Sequence, residues 1–103
     1  MAKFLFSYSG GATPTTPEEG ARSMAIWVGW FQGLGSAVVD MGNPTGPTKT
    51  VASNGAVAED PNGPTGYSII GADSLDAAVV IAKGCPVLQA GGGIGVSEIQ
   101  DMM

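Results

Sequence analysis

The chain has 103 residues, 44% of them hydrophobic and 13% charged, with a formal net charge of −5. That length and balance describe one globular domain over residues 1–103 and exclude a disordered chain. The only cations, Lys3, Arg22, Lys49 and Lys83, stand singly, so the basic patch that nucleic acid requires is missing.

The opening MAKFLFSYSG carries three consecutive apolar residues, short of a signal-peptide core or a spanning helix, and the expected location is the cytoplasm. Within it, Phe4, Phe6 and Tyr8 alternate with Leu5, Ser7 and Ser9, which predicts a strand with one apolar and one mixed face. A turn through Gly10 and Gly11 leads to Thr16-Pro17-Glu18-Glu19, a helix start with Thr at the cap, Pro at the first position and Glu three residues after the cap. The helix is expected to run to about Leu34. At 100° per residue Met24, Trp27, Val28, Phe31 and Leu34 form the stripe that should face a sheet. Ile26 and Trp30 fall on the opposite side and are read as an inter-subunit contact.

Ser36 to Met41 reads as a second strand, ended by Gly42-Asn43-Pro44. From Gly42 to Pro64 the chain is rich in Gly, Pro, Asn and Thr, with a hairpin expected around Asn54-Gly55 as a two-residue type I′ turn. Tyr67 to Ile70 is a third strand that breaks at Gly71, followed by a helix from Asp73 or Ser74 that Gly84 and Pro86 stop. Val87 to Ala90 adds a helical turn. A last strand follows, in which Ile94, Val96 and Glu98 alternate with Gly95, Ser97 and Ile99.

Two strand–helix–strand units make the expected fold α+β, a ferredoxin-like βαββαβ layer with an extra hairpin and both helices on one face of an antiparallel sheet. The other face is left bare. With Leu5 on the first strand and an Ile on each side of the third, Ile69 and Ile70, the mixed faces are too apolar to stay wet, and a two-fold homodimer is the expected cover.

Several runs resemble the YCII-related (DGPF-domain) proteins. They are Gly66-Tyr67-Ser68-Ile69, Ala72-Asp73-Ser74-Leu75-Asp76 with Ala78, Gly84-Cys85-Pro86, and the glycines Gly91 to Gly93. Trp30-Phe31 with Leu34-Gly35, Asp40 to Pro44, and Lys49-Thr50-Val51 leading into Asn54-Gly55 add to the likeness. The resemblance implies a dimeric α/β barrel of ferredoxin-like protomers, found mostly in bacteria. Some relatives are linked to dehydrochlorination of aromatic compounds, and some look like small-molecule enzymes with a His and Asp pair. Two departures stand out: the Asp-Gly-Pro-Phe signature is Asn62-Gly63-Pro64-Thr65 here, and the chain has no histidine.

Without histidine, Ser-His-Asp and Cys-His machinery is closed, and an acid or base must be Asp, Glu, Tyr, Lys or Cys. One cysteine, Cys85, allows no internal disulfide or cysteine-rich zinc site and reads as a buried filler. No metal or organic cofactor is expected. Asp40 and Tyr8 are the candidate catalytic pair, Asp40 being either a buried carboxylate on the face of Val38 or a cap on the Gly42 turn. Tyr67, Ser7 and Ser68 are candidate ligand-binding groups, and Asp60, beside Glu59, is a base if its loop closes over the barrel mouth. Asp73, Ser74 and Asp76 are explained by helix capping, and Gly91 to Gly95 lack a dinucleotide spacing. The expected function is binding of a small organic molecule in the barrel, with lyase- or dehydrochlorinase-like acid–base chemistry. The alternatives are a binding module without turnover and a purely structural oligomerising protein.

Overall fold

A computed structural model describes residues 1–102. Its first strand, β1 (Ala2–Ser9), follows the alternation in the sequence: Phe4, Phe6 and Tyr8 are buried, whereas Leu5 is exposed and Ser7 and Ser9 are half-buried. After a turn, α1 (Pro17–Leu34) starts on Thr16, whose hydroxyl accepts from the Glu19 amide at 3.1 Å. The Glu19 carboxylate reaches one residue further back than a reciprocal cap, accepting from the Thr15 amide at 2.8 Å and its hydroxyl at 2.9 Å. These bonds hold the carboxyl below its ordinary range.

A single helical 3-10 turn (Gly35–Ala37) leads into β2 (Val38–Pro44). Next come β3 (Thr48–Val51) and β4 (Val57–Asp60), which pair only with each other. The chain continues through β5 (Pro64–Ala72), α2 (Leu75–Ala82), α3 (Pro86–Gln89) and β6 (Gly93–Glu98). The main sheet is antiparallel throughout, in the order β2-β5-β1-β6. The fold is therefore α+β.

The core lies between this sheet and the helices. Phe4, Phe6, Tyr8, Ile70 and Ala72 of the sheet meet Ala78 and Ala82 of α2, together with Cys85 and Val87. Small residues on α2 bring that helix close, and Ser74 caps it by accepting from the Ala77 amide at 3.1 Å. The larger α1 stays further out and has no fully buried residue.

Four local expectations are corrected. Gly71 does not break its strand: β5 runs on to Ala72, where it pairs with Ala2. The hairpin turn is not type I′, because Gly55 alone takes a positive φ, +87°. Ala52 and Ala56 still pair, and Asn54 accepts from the Ala56 amide, giving a three-residue loop whose third residue is the left-handed glycine.

On α1 the sheet-facing arc is rotated. Trp27, Trp30, Phe31 and Leu34 pack on the core, while Met24 and Val28 are exposed. Two indoles on one side offer more surface to bury than Met24 and Val28, so they decide the rotation. Finally, irregularities in β2 on either side of Asp40 put Asp40 opposite Ile69, not on the face of Val38.

The molecule measures 44 × 44 × 18 Å. It is thin because only one helix layer covers one sheet.

Candidate functional site

Strand register sorts the chemistry-bearing residues onto two sides of the sheet. Residues opposite one another in an antiparallel pair point the same way. Facing the helices, Phe6 pairs with Ser68, and Tyr8 pairs with Gly66. There the Tyr8 hydroxyl donates to Ser68 Oγ at 2.7 Å, and Ser68 Oγ donates to the Met41 carbonyl at 2.7 Å. Trp27 packs edge-on against the Tyr8 ring at 4.9 Å. Burial raises the Tyr8 pKa well above its ordinary value, and burial pushes the Cys85 thiol up to about 11. All three side chains are neutral near pH 7 and closed off from solvent.

The uncovered side carries a different set. Across the sheet run two neighbouring rows, Gly95, Ser7, Tyr67 and Asn43, then Ser97, Leu5, Ile69 and Asp40. The first row is polar, and the absent side chain at Gly95 leaves a shallow step beside Ser7. Asn43 Nδ2 donates to Tyr67 Oη at a long 3.5 Å. The second row has an apolar middle, with Leu5 37% exposed and Ile69 half-buried. An aromatic hydroxyl, a serine and an amide beside two aliphatic groups can hold one face of a small organic molecule while directing its polar end.

The proposed catalytic pair is not brought together. Tyr8 lies under α1 in a closed hydrogen-bond chain, and Asp40 lies exposed on the edge strand, where Oδ1 accepts from the Gly42 amide at 2.8 Å. That bond is the local turn cap, not a desolvated base. Gly42 itself has φ +72°, and a Cβ there would overlap the Tyr67 carbonyl, so β2 meets β5 in this way only with glycine.

Ser7 and Tyr67 are direct partners on the open side, and Ser68 is separated from them on the core side. Asp60 sits elsewhere, half-buried at the root of the β3–β4 hairpin, with Oδ1 accepting from the Asn62 amide at 2.9 Å. It lines an open cleft of about 1060 Å³ together with Thr45, Lys49 and Glu59. Of the two interface candidates, Trp30 belongs to the internal aromatic cluster, 5.9 Å from Trp27 and 5.1 Å from Phe31. Ile26 remains on the flank of α1, 48% exposed.

Asn43 and Gly95 were not singled out by the sequence. The signal that would have found them is register, which the irregularities in β2 conceal for Asn43. A second concavity of about 340 Å³ lies between α2, α3 and β6, lined by Leu75, Val79, Leu88, Ile94 and Val96. Asp76 and Lys83 also line it.

Among the described residues, no three His, Cys, Asp or Glu side chains gather as metal ligands, and no helix is long and apolar enough to cross a membrane. Compared with protein-family models, curated proteins and solved structures, the chain matches none.

Proposed function

We propose that this chain is a YCII-related protein with a ferredoxin-like protomer, and that its open sheet face pairs with that of a second copy to form a dimeric barrel holding a small organic molecule. The strand order β2-β5-β1-β6, with helices on one side, supports the protomer class. One observation carries the binding reading. The polar row of Ser7, Tyr67 and Asn43 runs beside the aliphatic pair Leu5 and Ile69 in the middle of a face that no helix among the described residues covers.

Binding is the activity these groups support best. Their hydroxyls and amide position a polar substituent, and the aliphatic pair takes the hydrocarbon. Acid–base turnover of the lyase or dehydrochlorinase kind is the second reading. On this face it runs through Tyr67, with Asp40 at the end of the neighbouring row as the carboxylate, and Tyr8 takes no part. The exposed turn-capping state of Asp40 favours binding without turnover.

The test uses the full chain and an aromatic sulfonate dye, 8-anilinonaphthalene-1-sulfonate, as probe. Saturable binding with one dye per two chains is expected, weakened at least about tenfold by Tyr67→Ala. Dye binding that never saturates, or is untouched by Tyr67→Ala and Ile69→Lys alike, would remove the open face as the site.

A further inference from the structure

The β3–β4 hairpin pairs with none of the strands of the main sheet and contributes no residue to the buried core. Every residue from Lys49 to Glu59 is exposed, and only Thr48 and Asp60 at the root are half-buried. Val51 and Val57 pair directly, so both stand on one side of the ribbon, 70% and 61% exposed. Lys49 and Glu59, the pair two residues further in, share that side. A two-stranded hairpin is marginally stable in water by itself.

Its position excludes one form of cover. Layers of secondary structure pack about 10 Å apart, and the molecule is 18 Å deep, which is filled by one sheet and one helix layer. The hairpin therefore does not fold back over the open face of its own chain. It extends sideways, giving a radius of gyration of 14.9 Å against about 13 Å for a compact chain of this length.

The flat projection of the open face is small, and surface beside it would enlarge a contact with a second copy. Four strands about 4.8 Å apart and about six residues long, at about 3.3 Å each, present roughly 400 Å² in projection. A stable interface of ordinary size buries about 800 Å² of accessible surface on each partner, a quantity that side-chain relief makes larger than the flat projection of the same face. The exposed hairpin joins β2 to β5 and so is uncovered surface continuous with them in the chain, and its apolar pair is exposed.

We infer that the hairpin is a dimer arm: each copy lays the Val51 and Val57 side of its hairpin on the second copy, at the margin of that copy's open face. The inference rests on the face-to-face dimer proposed above. Two-fold symmetry makes the exchange reciprocal, so each arm closes one end of the space between the sheets.

The full chain is compared with Val51→Asp/Val57→Asp and with Ile69→Lys by sedimentation equilibrium. Hydrogen exchange of the peptide covering residues 48–60 is followed across protein concentration. The expected result is a dimer whose dissociation constant rises at least about tenfold in the hairpin variant, with hairpin amides that slow in exchange only where the dimer is populated. A wild-type dimer broken by Ile69→Lys, but unchanged by the hairpin variant and with hairpin exchange independent of concentration, overturns the arm and leaves the face-to-face dimer standing. A wild-type monomer at every concentration overturns both. The hairpin substitutions lie at exposed positions, and an unchanged circular dichroism spectrum separates lost association from lost fold.

Discussion

Replacing Ser68 tests how far the helix-side polar chain holds β2 to the rest of the sheet. In Ser68→Ala the Tyr8 hydroxyl loses its acceptor and the Met41 carbonyl loses its donor, in a place where Ser68 has no solvent exposure at all. A buried polar group left without a partner costs about 1–3 kcal/mol, so the two together cost about 3 kcal/mol after partial relaxation. Tyr8→Phe removes only the first bond: Ser68 keeps its donation to Met41, and the loss is about 1 kcal/mol. The double variant leaves a single orphan, the Met41 carbonyl, and costs about 2 kcal/mol, well short of the sum of the two single changes. Urea unfolding followed by tryptophan fluorescence is the suitable assay, because Trp27 packs on the Tyr8 ring. With an m-value of about 1–3 kcal/mol/M, Ser68→Ala moves the midpoint down by roughly 1–3 M. Tyr8→Phe costing as much as Ser68→Ala, or additive single effects, would refute the relay.

Other outcomes follow from the glycines, the buried thiol and the first helix cap. Gly42→Ala forces a methyl group onto the Tyr67 carbonyl at a left-handed φ and is expected to lose more than about 4 kcal/mol, whereas Gly29→Ala, open on α1, gains about 1 kcal/mol. Thermal unfolding separates these two, and equal melting temperatures would show that β2 does not approach β5 so closely. Burial raises the Cys85 pKa from 9.0 to about 11 and raises Tyr8 as well. The folded state thus favours the protonated forms. Their contribution is complete below pH 9 and declines as pH rises toward 11, first through the thiol. Cys85→Ala should flatten that first decline in unfolding free energy, and an unchanged alkaline limb would contradict it. Thr16→Ala should cost about 1 kcal/mol through loss of the bond to the Glu19 amide, read as a lower denaturant midpoint. A midpoint equal to wild type would show that the cap is idle in solution.

Local patterns in the sequence predicted β1, the start of α1 and the buried side of the sheet, because each depends on neighbours a few residues away. Thr16-Pro17 and the alternation of Phe4, Phe6 and Tyr8 leave little freedom. The rotation of α1 was not legible, since the choice between Trp30 and Val28 depends on the core they meet. The site was hidden for a related reason. Alternation alone assigns Asp40 to the side of Val38, and irregular pairing in β2 reverses it. Ser7 and Tyr67 were named from the sequence, but their pairing across β1 and β5 is a fact of register, as is the removal of Tyr8 and Ser68 to the core.

The central place of β1 also affects how the protein is made. Both of its neighbours come late in the chain: Phe4 pairs with Ile70 on one side and with Glu98 on the other. At elongation rates of about 5–20 residues per second, Phe4, Phe6 and Tyr8 wait roughly 3–20 s for those strands to emerge from the ribosome. During that interval an apolar, strand-forming N-terminal segment is on offer to any holdase, and rapid collapse of the early part alone cannot shelter it.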